Sequence, residues 1–248
     1  MTGSGAERPW QVIEAALAAG PLGANGYRVE LLPPLDQRER ATLDARLRVP
    51  PPSEIAEVLA RTRGVRIGID EVRLDVRAEA TFLGDLLPES ALLVDNDGAG
   101  NVWLAPIDPR TGAWGPVLFA CHDPPVVGVE ARTIAEFLRL LVASYAEPDS
   151  VLIGVDGPAC DAWSELLPPV GLARSAMRGG PYRGVGDPAL ADFIAALPAD
   201  AVVVDLREAP RGVGFPWAVR YEVLRRHPTE LLFALRRRRG LFTRLFGR

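Results

Sequence analysis

Apolar and polar residues alternate along the middle of the chain in a pattern typical of paired β-strands. The segment Asn101–Asp108 alternates with a period of two, so its side chains fall on two opposite faces. One face carries Trp103, Ala105 and Ile107, and the other carries Val102 and Leu104. Apolar runs at Ala91–Asp95 and Trp114–His122 flank this segment, and turn-forming residues separate all three. The pattern predicts a three-stranded antiparallel β-meander.

Helical spacing of apolar residues occurs on both sides of the predicted meander. The segments Asp36–Leu47 and Ser53–Arg63 predict two helices, with Gly64 as the C-cap of the second. After the meander, Thr133 and Glu136 form a capping box, which predicts that a third helix begins there. This order predicts an α+β fold in which helices pack on an antiparallel β-meander sheet.

The second half of the chain predicts a smaller α+β region after a boundary near Glu147. Its predicted elements are strands at Val151–Val155, Ala201–Leu206, Gly214–Tyr221 and Glu230–Leu235 and a helix at Asp187–Leu197. The chain is therefore divided into an α+β domain at residues 1–147, a C-terminal α+β region at 148–235 and a tail at 236–248. No motif assigns a role to the C-terminal region.

Three parts of the chain, taken in order, resemble the SUKH superfamily, which includes fungal cell-wall-assembly regulators and bacterial toxin-immunity proteins. The first is LLPPLDQRERATLDARLRVPPPSEIAEVLARTRG (Leu31–Gly64), which looks like the proline-flanked helix pair of that superfamily. The second is the meander DNDGAGNVWLAPIDPRTGAWGPVLF (Asp95–Phe119), and the third is TIAEFLRLL (Thr133–Leu141), similar to the closing helix. Together they cover roughly residues 21–146.

The resemblance implies a binding fold without a catalytic centre, used most often in bacteria to neutralise a toxin domain by direct contact. We therefore expect a non-enzymatic immunity protein whose protein partner is a basic toxin domain. The alternative is a scaffold or regulatory protein of cell-envelope or stress physiology that is tethered by its basic C-terminal tail. Fold alone does not decide between them.

Charge is distributed unevenly, although the net charge is only −4. Between Thr81 and Glu130 there are seven acidic residues and one base, Arg110. We predict that this acidic meander face and two tryptophans contact the partner and accelerate its association. The predicted contact residues are Asp95, Asp97, Trp103, Asp108, Trp114 and Asp123. Alternatively, the acids are solvated turn residues and each tryptophan packs in the core or against a turn.

The last residues combine arginines with paired apolar side chains. The residues expected to act there are Arg236, Arg237, Arg238, Arg239, Leu241, Phe242, Leu245 and Phe246. A short basic amphipathic tail predicts weak contact with an anionic membrane surface, and no nucleic-acid partner is expected. The alternatives are a solubilising tail and apolar residues that fold back onto the domain.

Composition excludes several kinds of chemistry. Every one of the 28 basic residues is an arginine, so a Walker A loop and Schiff-base catalysis are excluded. Cys121, His122 and Asp123 are nucleophilic-triad residue types, but neighbours on a strand point to opposite faces. The Asp95–Gly98 turn lacks the later ligands of a calcium loop. We therefore expect no enzymatic activity, no metal and no cofactor.

Cellular location is predicted from hydropathy and cysteine content. Hydrophobic residues make up 48% of the chain and charged residues 24%, which is ordinary for a globular protein. No apolar run approaches 18 residues and no N-terminal signal segment is recognised, so a cytoplasmic protein is expected. Cys121 and Cys160 are predicted to be buried free thiols.

Overall fold

The structure is a computed structural model, and the chain is α+β, with helices packed on antiparallel sheets. It describes residues 7–47, 49–75, 87, 90–94, 100–122, 125–147, 176–178, 188–198, 201–216, 221–227 and 231–237. The helices are α1 (Pro9–Ala19), α2 (Gln37–Leu47), α3 (Ser53–Leu59), α4 (Ile134–Ala146) and α5 (Pro188–Ala195). The strands are β1 (Val29–Leu31), β2 (Gly64–Ile67), β3 (Asp70–Arg73), β4 (Ser90–Val94), β5 (Val102–Pro106), β6 (Val117–His122), β7 (Pro125–Ala131), β8 (Ala176–Arg178), β9 (Val202–Asp205), β10 (Gly214–Pro216), β11 (Tyr221–His227) and β12 (Leu232–Arg237).

The predicted meander, β4-β5-β6, forms one side of a five-stranded antiparallel sheet with the order β10-β7-β6-β5-β4, in which β4 is an edge strand. Its fourth strand, β7, was not predicted, because PVVGVEA is an apolar run without alternation. The small sheet β1-β2-β3 and the sheet β11-β12-β9-β8 complete the described strands. Helix α1 and the small sheet were also missing from the prediction, so the element order is longer than the sequence pattern indicated.

Both faces of the meander sheet are buried. The first face packs on the helices and the small sheet, and it includes Trp103, Ala105 and Ile107 as predicted. The second face carries Val102 and Leu104 and packs against residues of β9 and β12. The Phe215 and Phe233 rings mark this second contact, with centroids 4.7 Å apart. The period-two prediction for β5 is therefore confirmed, and each of its faces belongs to a separate core.

The C-terminal sheet is the third of four layers. Its opposite face packs against α5, where Phe193 and Ile194 cover Val203, Leu232 and Ala234. The layers follow the order helices, meander sheet, C-terminal sheet and α5. Strand β10 lies beyond the predicted boundary at residue 147, yet it pairs with β7 of the meander sheet. The two sides of that boundary therefore share both a sheet and a core.

Local signals explain where the helices begin and end. Helix α4 begins after Thr133, whose hydroxyl accepts a hydrogen bond from the Glu136 amide at 3.1 Å, as the capping box predicted. Helix α3 was predicted to reach Arg63 but ends at Leu59. The turn continues to Thr62, whose amide donates to the Val58 carbonyl at 2.9 Å and whose buried hydroxyl donates to the Leu32 carbonyl at 2.7 Å. Gly64, the predicted C-cap of α3, is instead the first residue of strand β2.

The second half places several predicted elements close to their expected positions. Helix α5 and strands β9 and β12 overlap the predicted segments, whereas Gly214–Tyr221 contains all of β10 and the first residue of β11. The predicted strand Val151–Val155 lies outside the described residues. Among the described helices, none combines the length and the apolar character needed to cross a membrane.

Candidate partner-binding surfaces

The turn between β5 and β6 carries one of the predicted acidic contacts, Asp108. Its carboxylate accepts hydrogen bonds from the Arg110 amide at 2.8 Å and from the Arg110 guanidinium at 3.3 Å. The side-chain hydrogen bond from Arg110 is the main reason why the pKa of Asp108 lies below its ordinary value. Gly112 fits this turn closely against the carbonyl of Pro50. The negative charge of Asp108 is therefore compensated within its own turn.

Strand register separates Asp108 from the strand ends that lead to the other predicted acidic contacts. Register pairs Val102 with Ala120 and His122 with Pro125, so the strand ends that flank residues 95–99 and 123–124 lie at the same end. Asp108 lies in the turn between β5 and β6, at the other end of these strands. A five-residue strand such as β5 is about 13 Å long, so this distance separates the two ends of the sheet. Asp95, Asp97 and Asp123 themselves lie outside the described residues. Asp108 therefore does not belong to one surface with the strand ends that lead to them.

Trp103 is a core residue, and its predicted role as a partner contact is wrong. The side chain is 2% exposed and packs on Phe119 and Phe137, with ring centroids 5.1 and 6.4 Å away. It belongs to the period-two face that the helices cover. Trp114 is half-buried, packs against the same core and joins Ile107 through an isolated bridge. Both tryptophans therefore pin the meander against the helices.

A buried acidic residue, Glu130, lies next to Trp103 and was not singled out from the sequence. Its side chain is 0% exposed. One carboxylate oxygen accepts from Trp103 Nε1 at 3.3 Å. The other accepts from Arg211 Nε and Nη2 at 3.1 and 2.8 Å. A charged residue inside the apolar segment PVVGVEA was the available signal, because acids are almost never fully buried unless they are paired.

Alternation along β7 puts Glu130 on the helix side of the sheet, because Val126 packs on that side and Val127 and Val129 pack on the other. Leu118 pairs with Val129 and Val117 pairs with Ala131, so Glu130 is the extra residue of β7. Arg211 approaches from the β9–β10 connection, which also bonds to β7 through the Gly212 amide and the Val129 carbonyl. Arg132 adds a second link by pairing with Glu208. These ion pairs fasten the C-terminal region to the meander, and we assign them a structural role.

The start of the predicted basic tail is incorporated into the fold. Arg236 and Arg237 lie in β12, where they pair with Glu222 and Tyr221 of β11. Their assignment to a separate tail is wrong, because the strand continues past the Glu230–Leu235 prediction and completes a hairpin. Of the other predicted tail residues, Arg238, Arg239, Leu241, Phe242, Leu245 and Phe246 lie outside the described part of the chain.

Exposed apolar side chains gather around the small sheet, which the sequence pattern did not predict. Ile69 at the tip of the β2–β3 hairpin is 87% exposed, and Leu31 on β1 is 43% exposed. The base of this tip is fixed by Tyr145, whose hydroxyl donates to Asp70 at 2.7 Å. Desolvation, followed by this hydrogen bond, raises the pKa of Tyr145 well above its ordinary value. The ring of Tyr27 packs edge-on against Tyr145, with centroids 4.9 Å apart.

The residues considered for catalysis and metal binding are only partly described. Cys121 is buried on β6, as predicted, and Cys160 lies outside the described residues. The backbone of His122 follows directly on the same strand, and Asp123 is again outside. Within the described ranges, no three His, Cys, Asp or Glu side chains are placed to hold a metal ion. The expectation that the chain is not an enzyme stays a prediction.

Comparison with known proteins gave no relative. No family model, no curated protein and no solved structure matches this chain. The SUKH resemblance therefore stays a prediction that stands on the quoted segments and their order.

Proposed function

We propose that the chain is a non-enzymatic binding protein, most specifically an immunity protein that neutralises a basic toxin domain by direct contact. Contact is made at the end of the meander sheet where β4 leads to β5 and β6 leads to β7. This refines the acidic-face hypothesis, because Asp108 and the two tryptophans are no longer part of the surface.

The observation that carries this proposal is the placement of the strand ends around two acid-containing connections. Asp95, Asp97 and Asp123 follow strand ends that register brings to one end of the sheet. Val94 pairs with Trp103, and His122 pairs with Pro125, so all four strands terminate there. Acidic residues gathered at one end favour a basic partner, mainly by raising its association rate.

The test is capture of the partner by tagged full-length chain from its native cytoplasm, followed by measurement of toxin inhibition. The variant Asp95→Arg/Asp97→Arg/Asp123→Arg should slow association and weaken its dependence on salt. Asp108→Asn is the matched control, because it removes an acid at the other end of the sheet and should leave association unchanged.

Two outcomes would contradict the proposal. A captured protein that is bound by the triple variant as fast as by the wild type would show that this end of the sheet is not the contact. Capture of envelope proteins in place of a toxin would favour the scaffold hypothesis. Thermal melts of both variants show whether a lost interaction results from lost folding.

A further inference from the structure

The small sheet ends in an open edge that no described element covers with a paired strand. Strand β1 pairs with β2 alone, in the register Val29–Ile67, Glu30–Arg66 and Leu31–Val65. The Leu32 amide donates to the Gly64 carbonyl at 3.0 Å, and this bond determines which residues of β1 direct their backbone groups toward β2. The backbone groups of Glu30 therefore point to β2, and those of Val29 and Leu31 point away from it.

Outward-facing backbone groups on a short strand can pair with an added strand. Here the adjoining side chains are also accessible: Leu31 is 43% exposed and lies on the same face as buried Val29. An apolar residue of an added strand opposite Leu31 would extend the core of the small sheet. Ile69, at the β2–β3 tip beyond the Val29 end of β1, is a separate exposed apolar residue.

Charge on the other face of β1 specifies what an added strand must carry. The Glu30 side chain is 64% exposed, and its nearest cation, Arg66, is 3.9 Å away. Arg66 is itself engaged by Glu71 through Nε, at 3.0 Å, and through Nη2. Two residues before Glu30 stands Arg28, which is exposed. Antiparallel pairing would place a base opposite Glu30 and, two residues later, an acid opposite Arg28.

We propose that the edge of β1 is a docking site for an extended segment of a protein partner, with apolar, basic, apolar and acidic residues in that order. The segment adds to the small sheet as a fourth, antiparallel strand. This inference rests on the proposed function in one respect, since it takes the partner to be a protein.

The test uses full-length, isotope-labelled chain and two acetylated, amidated peptides of equal composition. One peptide is Thr-Val-Arg-Val-Glu-Thr, and the other is Thr-Val-Glu-Val-Arg-Thr. We expect the first to shift the amide resonances of Val29–Leu31, to slow hydrogen exchange at Leu31, and to bind at least about tenfold more tightly than the second. Binding of neither peptide, or shifts confined to other residues, would overturn the proposal. Tighter binding of the second would overturn the antiparallel assignment.

Variants separate backbone pairing from side-chain contact. Leu31→Pro removes an amide that points away from β2 and should abolish peptide binding without breaking the β1–β2 ladder. Leu31→Ala keeps that amide and should weaken binding less. If Leu31→Pro fails to fold, Glu30→Arg supplies the second test, because it should reverse the preference for a base at that position. Unchanged binding in Leu31→Pro would contradict docking by strand addition.

The remaining outcomes distinguish this inference from the proposed function. Self-association of the free chain that is lost in Leu31→Pro, measured by sedimentation, would assign the edge to a second copy and overturn the peptide proposal. Toxin neutralisation without peptide binding would refute the docking site at β1 and leave the immunity function in place. Peptide binding without any neutralised toxin would refute the immunity function and leave the docking site in place.

Discussion

The ion pair between Glu130 and Arg211 gives the sharpest prediction about stability. Arg211→Met removes the guanidinium that donates two hydrogen bonds to a carboxylate with 0% side-chain exposure. Removing one partner of a buried ion pair costs about 3–5 kcal/mol, because the remaining charge stays buried. Arg211 is itself 34% exposed, which screens the pair, so we expect a loss of about 2–4 kcal/mol.

The assay is urea unfolding followed by tryptophan fluorescence, with thermal melts as a second measurement. For a chain of this size, the predicted loss corresponds to a melting temperature lower by about 5–15 °C. Glu130→Gln should cost less, because the partly exposed guanidinium can turn to water. The double variant Glu130→Gln/Arg211→Met should be more stable than Arg211→Met alone, since a buried amide costs less than a buried charge.

The order of the three variants tests the reasoning more strictly than any single value. If Arg211→Met costs less than about 1 kcal/mol, the pair does not compensate a buried charge. If the double variant is the least stable of the three, Glu130 stabilises the fold without Arg211, because Arg211→Met and the double variant differ only at residue 130. Either result would refute the fastening role that we assign to this cluster.

Two further predictions concern polar contacts of the small sheet and of α2. Tyr145→Phe deletes the hydrogen bond to Asp70 and should lower the free energy of unfolding by about 1 kcal/mol. The control Tyr27→Phe should have little effect on urea unfolding. The hydrogen bond from Arg63 holds the pKa of Glu39 below its ordinary value of 4.5. A lowered carboxylate pKa gives stability that is fully present above the unfolded pKa and is lost as the pH falls through the folded pKa. The melting temperature of Glu39→Gln should therefore change less between pH 5 and pH 3 than that of the wild type, and an equal change would contradict the prediction.

Local signals in the sequence predicted the elements whose determinants are local. The capping box at Thr133 and Glu136 placed the start of α4, and Asp36 and Glu39 cap α2 through reciprocal hydrogen bonds of 2.7 and 2.9 Å. Alternation in β5 assigned Trp103 and Leu104 to opposite faces. These features depend on residues at most a few positions apart, so they can be predicted from the sequence.

The missing features depend on contacts between distant parts of the chain. Strand β7 is buried on both faces, so it lacks the alternation that marks a half-buried strand. Glu130 and Arg211 are separated by 81 residues, and nothing local relates them. The buried hydroxyl of Thr62, just after α3, bonds to Leu32, which is 30 residues away. Pairing over such distances is decided by the tertiary fold.

Burial of both sheet faces also changes where function has to reside. A meander with one solvated face would offer its strands to a partner. Here the C-terminal sheet covers the second face, so substitutions at Leu104 or Phe233 act on stability and not on recognition. We therefore propose that recognition uses strand ends, connections and the edge of β1. Predicting strands from their periodicity located the scaffold, whereas the proposed contact surfaces lie where that periodicity stops.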